Sequence, residues 1–262
     1  MRVGIISGSG SYEWPRLADA RPHTCRTPHG SVEVTFGRVA GVEVVHLARH
    51  GAGHARLSNH ITHKANIAAL LDAQVDCAVS LTVCGAVDPA LAPGTLVAFD
   101  DLYFPGNRLP DGTLCTWHDQ PGAVERGHWI FDAPISGDLR QTLAEAAHAL
   151  GLPLRAGGCY GHVDGPRFNS RAEITALAAA GVVAVSQTAG PEIVLAGEAA
   201  LPLAVLGYVT DYANGVSAEP QPVTELLRLM RASTDVFAAV LEAALARLEK
   251  PVPPGMVYRI ES

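Results

Sequence analysis

The stretch GVVAVSQTAGPEIVLAGEAALPLAVLGYVTDYANG, residues 181–215, decides the fold class. Val182 to Ser186 is a short, mostly apolar run and Leu203 to Val209 is another, each of the length and composition of a strand buried on both faces. Between them, Glu192 to Ala199 carries helical spacing, so the segment reads strand, helix, strand. Parallel strands joined through a helix belong to an α/β sheet with helices covering it.

The alternation continues in both directions. Downstream, an amphipathic helix from about Val223 to Leu248 stops before PVPPG, whose prolines cannot continue it. Upstream come a helix Ser170 to Ala180, a strand Arg155 to Val163 and a helix Ser136 to Leu150. Asp100 to Pro134 is rich in Gly, Pro and Asp and lacks a period, which predicts an irregular excursion of the kind that shapes binding sites. Before it lie a strand Cys77 to Val83, helical spacing over Ile61 to Leu71, and a hairpin of Val32 to Arg38 with Val42 to Ala48 turning at Ala40-Gly41. The first strand, Met1 to Ser7, opens into Gly8-Ser9-Gly10. No repeat, low-complexity tract or linker divides the chain. Residues 1–262 are therefore expected to form a single domain, a mixed twisted β-sheet flanked by helices on both faces.

Composition bounds the function. With 48% hydrophobic residues the chain can bury a sizeable core, and 19 basic against 26 acidic residues, a net charge of −7, exclude a general nucleic-acid backbone binder. Any anion must be gripped locally. The five cysteines Cys25, Cys77, Cys84, Cys115 and Cys159 form no CxxC pair, and an odd count fits reduced thiols in a cytoplasm. MRVGIISGSG lacks the apolar run of a signal peptide or membrane span, so a soluble cytoplasmic protein without a membrane partner is expected.

In open α/β sheets ligands collect beyond the carboxyl ends of strands, so chemistry is sought there. Four places stand out: Ser7 to Gly10, Arg49-His50-Gly51, Thr82 to Ala86, and Thr210 to Asn214. Gly8 and Gly10 would let backbone N–H groups approach an anion while the Ser9 hydroxyl adds a donor, although a plain turn has the same composition. Arg49 offers a planar fork for an oxyanion and His50 a second donor, with Thr82 and Thr188 at strand ends supplying hydroxyls. Asp211 ends an apolar strand, where a carboxylate is either paired or has its pKa raised. A raised carboxyl can protonate a leaving group. An N-capping or salt-bridged Asp is the bland alternative.

Arg49 to Asn66 also gathers His50, His54, His60 and His63. Their spacings match no zinc signature, and no metal is expected there.

Taken together the motifs resemble the trimeric purine nucleoside phosphorylase and methylthioadenosine phosphorylase family. GIISGSG resembles its opening GIIGGTG, and RHG its phosphate-gripping Arg-His-Gly. HKANIAAL, TVCGAVDPALAPGTLVAFDD, GPRFNSRAEI, SQTAGPEIVLAGEA and VTDYANG resemble its later motifs in the same order, from residue 4 to about residue 230. The resemblance implies phosphorolysis of a purine nucleoside, with inorganic phosphate as co-substrate, no other cofactor, and a homotrimer. By the same resemblance Ser9, Arg49, His50, Thr82, Thr188 and the backbone of Val83 would hold phosphate. Asp211 would face purine N7, Phe168 with the backbone of Cys84 and Gly85 would pack against the base, and Gln187 would lie under the ribose.

The resemblance divides over substrate. Asp211 matches the methylthioadenosine enzymes, whereas 6-oxopurine enzymes carry Asn there. Ala213 departs from the second Asp of the adenine type, and Asn169, which both donates and accepts, fits either base. Val223 would give room at the 5′ end, and His128 would reach the 5′ group in a neighbouring subunit. These matches favour 5′-methylthioadenosine, with a 6-oxopurine nucleoside or methylthioinosine as the alternative. A non-catalytic nucleoside-binding protein and a nucleosidase that uses water are the lesser alternatives.

Overall fold

The run Cys77–Ala86 organises the sheet: every residue in it is buried except Val83 and Gly85, which are half-exposed. That burial follows from apolar residues on both faces of the strand, the signature of a central position. In this computed structural model, residues 1–9, 14, 16–124, 126–219 and 221–260 are described. Their order is β1 (Arg2–Ser7), β2 (Ala18–Thr27), β3 (Gly30–Val39), β4 (Val42–Ala48), α1 (His63–Asp72), β5 (Cys77–Ala86), β6 (Leu96–Ala98), β7 (Asp101–Tyr103), β8 (Gly127–Ile130), α2 (Gly137–Ala149), β9 (Leu154–Ala156), β10 (Cys159–His162), α3 (Arg171–Ala179), β11 (Val182–Ser186), α4 (Ala189–Glu198), β12 (Leu203–Tyr212), α5 (Val223–Leu245) and β13 (Met256–Arg259). Single turns of 3-10 helix lie at Ala52–His54 and Ser58–His60.

Eleven strands form one mixed sheet, in the order β2-β3-β4-β1-β5-β11-β10-β7, with β12, β6 and β9 branching from β5. Both α4 and α5 pack on β5 and β12, α1 packs with α4, and α2 with α5, so the centre of the sheet is covered by helices. Val79, Leu81, Val205 and Leu206 on these two strands are at most 1% exposed. Burial of each such side chain contributes on the order of 1.5–3 kcal/mol relative to exposure.

One edge of β5 creates the site. On its other edge β12 runs alongside in parallel from Ala78 to Ala86. On this edge β1 pairs with Cys77 to Ser80 in parallel, and β11 pairs with Gly85 and Ala86 in antiparallel. The two strands therefore meet carboxyl end to carboxyl end, and between them Leu81 to Cys84 have no strand partner on that edge. Three strand ends and the N-terminus of α4 converge on the gap.

Several expectations needed revision. Helix α4 starts at Ala189, three residues before the expected Glu192, because Pro191 sits in the first turn, where its missing N–H costs nothing. The strand expected over Arg155 to Val163 is two strands, β9 and β10, broken where Gly157 (φ 106°) and Gly158 (φ 135°) take conformations that side chains disfavour. The excursion over residues 100–134 is largely irregular but contains β7 and β8, and β8 pairs with β13 in a separate two-stranded sheet. Strand β2 was not expected at all. Its sequence ADARPHTCRT has no alternation and most of it is exposed, because it is the edge of the sheet, a position that tolerates Pro22. Gly10 lies outside the described residues. All five cysteines are free thiols, and no helix among the described residues is long and apolar enough to cross a membrane.

Candidate active site

A cavity of about 220 Å³ opens beside the gap in β5. Val83, Cys84 and Gly85 form one wall, and Asp211 and Ala213 extend it from β12. Ser9 from the β1 turn and Thr188 at the start of α4 line it as well, as do Phe168, Asn169 and Gln187. These ten residues, expected at one site from sequence, are brought together. Arg49, His50, Thr82, His128 and Val223 are not part of the lining.

Asp211 owes its aim to an irregularity. The β5–β12 register shifts between Val209, opposite Cys84, and Asp211, opposite Gly85, which leaves Thr210 unpaired and turns the carboxylate. Its Oδ1 accepts a 2.7 Å hydrogen bond from Thr210 Oγ1. Burial pushes the carboxyl above the usual carboxylate range, and the Thr210 bond opposes this only in part. Oδ2 lies 3.5 Å from where a side chain on Gly85 would begin, so glycine leaves the carboxyl face open. A carboxyl whose affinity for a proton is raised in this way, on the wall of the cavity, suits proton transfer to a bound group.

Other residues of the lining offer hydroxyls. Thr188 caps α4, yet its buried Oγ1 has no partner. The first-turn amides of Thr188 and Ala189 are instead committed to Tyr160, donating to its phenol oxygen at 3.3 and 3.1 Å. Burial pushes that phenol up to about 12, so it stays protonated. Thr188, Ser9 and Ser186 line the cavity, with Thr82 Oγ1 and Ser186 Oγ 3.0 Å apart. Hydroxyl donors near a helix N-terminus suit an oxyanion.

Arg49 behaves differently from expectation. Its guanidinium is 1% exposed and its fork grips Glu192, Nε to Oε1 at 2.7 Å and Nη2 to Oε2 at 3.0 Å. Nη1 donates to the Leu81 carbonyl at 2.7 Å, an oxygen freed by the gap in β5, and Nη2 donates to Ser80 Oγ at 2.8 Å. Of the five guanidinium hydrogens, only the second on Nη1 is left for a ligand. Gly8 makes this possible: a Cβ there would fall 2.6 Å from Nη1, so only glycine lets the guanidinium press against the turn at Ser9.

His50 also changes role. Burial, reinforced by the Arg49 charge, pushes it down to about 4, so the ring is neutral at pH 7. Its Nδ1 donates to the Arg56 carbonyl at 2.8 Å, which assigns the proton and leaves Nε2 an acceptor rather than the expected donor. His54 stacks on it at 4.2 Å, and His63 is buried 4.0 Å from Glu192. Among the described residues no three His, Cys, Asp or Glu side chains gather as metal ligands would.

The phosphorylase superfamily model matches residues 2–246. The chain belongs to the phosphorylase superfamily. It is 34% identical over 259 residues to the probable 6-oxopurine nucleoside phosphorylase of Thermococcus kodakarensis, covering 95% of this chain and 93% of that one. It is 32% identical over 257 residues to the S-methyl-5'-thioadenosine phosphorylase of Bradyrhizobium diazoefficiens, covering 96% and 84% respectively. Among solved structures it resembles the methylthioadenosine phosphorylase of Schistosoma mansoni in complex with adenine, with a TM-score of 0.84, 27% identity, and 94% and 91% of the two chains covered.

In this member of the phosphorylase superfamily, sequence reasoning missed Glu192, Ser58, Leu226 and Met230, and gave no role to Asn214 within the stretch it singled out. Leu226 and Met230, four residues apart on α5, line the cavity where Val223, one turn earlier and 67% exposed, does not. Helical spacing could have pointed to them. Asn214 lines the cavity and donates to the Asn169 carbonyl at 2.7 Å, holding that loop. Glu192 carried one signal, a lone carboxylate inside the apolar run AGPEIVLAG.

Proposed function

We propose that this chain is a purine nucleoside phosphorylase, a pentosyltransferase that moves a pentosyl group from a purine to inorganic phosphate. The observation that carries the reading is that Asp211, a carboxyl raised by burial, lines one cavity with the hydroxyls of Ser9 and Thr188. Phosphate held at the hydroxyl end, with Arg49 behind it, attacks C1′ of the sugar. The bond from C1′ to purine nitrogen breaks, the base leaves with a proton from Asp211 on N7, and a sugar 1-phosphate remains. Positioning and charge stabilisation supply the rate, and no metal or organic cofactor enters. Phe168, which lines the cavity and is 66% exposed, covers the base.

The substrate proposed is 5′-methylthioadenosine. Leu226 and Met230 present an apolar wall suited to a methylthio group, and Asp211 suits a 6-amino purine as acceptor and proton donor in turn. A second reading, a 6-oxopurine nucleoside or methylthioinosine, is favoured by Ala213, which supplies no second acceptor for an amino group, and by the name of the Thermococcus kodakarensis relative. The exposed His128 on β8 would reach a neighbouring copy in a homotrimer. A cytoplasmic place in purine salvage fits the same reading.

Purified protein with phosphate and a panel of methylthioadenosine, adenosine, inosine, guanosine and methylthioinosine tests the proposal. Methylthioadenosine is expected to have the highest kcat/KM. Faster turnover of inosine or guanosine would transfer the assignment to the second reading. Cleavage without phosphate would make the protein a nucleosidase, and no cleavage of any substrate would make it a binding protein.

A further inference from the structure

Helix α4 begins without the cap its own sequence would supply. The amide N–H groups at the start of a helix have no partner within it, and an N-cap threonine ordinarily accepts from that of the second or third helical residue, which fixes the aim of its hydroxyl. In α4 the third helical residue is Pro191, which has no N–H, and Thr188 at the N-cap makes no side-chain capping bond.

Tyr160, from strand β10, caps the helix instead. Its phenol oxygen, 0% exposed, accepts from the amides of Thr188 and Ala189 at 3.3 and 3.1 Å. Both lone pairs are then in use, so the phenol has only its proton left to give, and Ser186 at the end of β11 is its remaining hydrogen-bond partner. The ring meets that of Phe99 edge-on, with centroids 5.2 Å apart. One buried side chain thus ties the last residue of β11 to the first turn of α4.

The effect falls on Thr188. Its Oγ1 is buried and has no partner among the described residues, and the residue lines the cavity. A hydroxyl buried in that state is unfavourable until something binds it.

Resting on the nucleoside phosphorylase reading, we infer that Tyr160 is a positioning residue for phosphate: by capping α4 in place of Thr188, it keeps the Thr188 hydroxyl available to the anion.

The experiment measures KM for phosphate and for the nucleoside in the wild type, Tyr160→Phe, Thr188→Val, the double variant of these two, and Pro191→Ala. Phenylalanine keeps the ring against Phe99 and removes the acceptor, so the Thr188 hydroxyl should turn to the helix amides. In either single variant the phosphate KM should rise about tenfold, the loss of one good hydrogen bond to an ion, while the nucleoside KM stays within about twofold. Because both substitutions remove the same contact, the double variant should stay near the single ones and far below the roughly hundredfold rise of independent sites. Pro191→Ala leaves Tyr160 in place but restores an amide for Thr188 to cap, so its phosphate KM should rise severalfold. Should the uncapped amides keep Tyr160→Phe from folding, Pro191→Ala decides. Multiplied effects in the double variant, equal rises in both constants, or an unchanged phosphate KM in Pro191→Ala would overturn the inference, and a phosphate-dependent wild type would leave the functional reading standing. A wild type that cleaves nucleosides without phosphate, or cleaves none, removes that reading and this inference with it.

Discussion

Arg49 and Glu192, 143 residues apart in sequence, share a bidentate ion pair from which solvent is excluded, the side chains being 1% and 0% exposed. Breaking a buried pair by removing one partner leaves an uncompensated charge, which costs about 3–5 kcal/mol, whereas replacing both by apolar groups is often near neutral. Glu192→Ala should therefore lower stability by about that amount in urea titrations. Arg49→Met combined with Glu192→Leu should recover most of it while failing to use phosphate. A single variant that unfolds at the wild-type urea concentration would show the pair to be dispensable.

Gly8 is expected to govern phosphate and not purine. A Cβ there would meet Arg49 Nη1 at 2.6 Å and the Leu81 carbonyl at 3.4 Å, so Gly8→Ala must push back the one guanidinium edge left for a ligand. The KM for phosphate should rise about tenfold, the loss of one good hydrogen bond to an ion, while the nucleoside KM stays within about twofold. Equal rises in both constants would mean that the turn is disturbed as a whole.

These two residues mark the limits of what could be read from the chain. The strands β1, β5, β11 and β12 were legible because burial on both faces demands continuous apolar runs, and the residues following them line or back the cavity. Edge strand β2 and the short β8–β13 pair were not legible, because strands with no fully buried face, or of only four residues, carry too little apolar pattern in their sequence. Arg49 was expected to grip an oxyanion, but its fork is held by Glu192, which lies on a helix whose packing against β5 no local pattern encodes. Val223, expected at the 5′ end, does not line the cavity, whereas Leu226, one helical turn further along α5, does.

Leu226 and Met230 make the apolar wall a measurable preference. Met230→Gln should reduce the ratio of kcat/KM for methylthioadenosine over adenosine by about tenfold, the value of roughly 1–2 kcal/mol of apolar contact. An unaltered ratio would place the 5′ group elsewhere in the cavity.

Asp211 predicts the alkaline limb of the pH profile. Its folded pKa is raised by burial, so the protonated form that donates to N7 persists above the usual carboxylate range and is lost as pH rises through the raised value. For the wild type, kcat/KM should decline on that limb. Asp211→Asn cannot donate an acidic proton, so it should be slower by about 10²–10⁴-fold, the usual contribution of a general acid, with the limb flattened. A full alkaline limb in Asp211→Asn would assign it to another group.

Four buried histidines set the acid stability of the fold. Burial pushes His46 and His50 down to about 4 and His63 and His162 down to about 3, from an ordinary value of 6.5. Above pH 6.5 they are neutral in both the folded and unfolded chains and do not alter the balance. As pH falls below 6.5 the unfolded chain takes up protons that the folded chain refuses, so stability falls until the folded values near 4 and 3 are reached. Each histidine contributes a slope of about 1.4 kcal/mol per pH unit within its window. The carboxylates held low by partners, such as Asp76 and Asp88, titrate at still lower pH and do not confuse the range from 6.5 to about 4.5. Urea unfolding across pH 8 to 4.5 should therefore be flat at first and then decline steeply. His162→Phe, which keeps an aromatic ring against Phe104, should reduce the slope by one proton. A slope identical to that of the wild type would mean that His162 is already charged in the folded protein, contrary to its burial at 8% exposure.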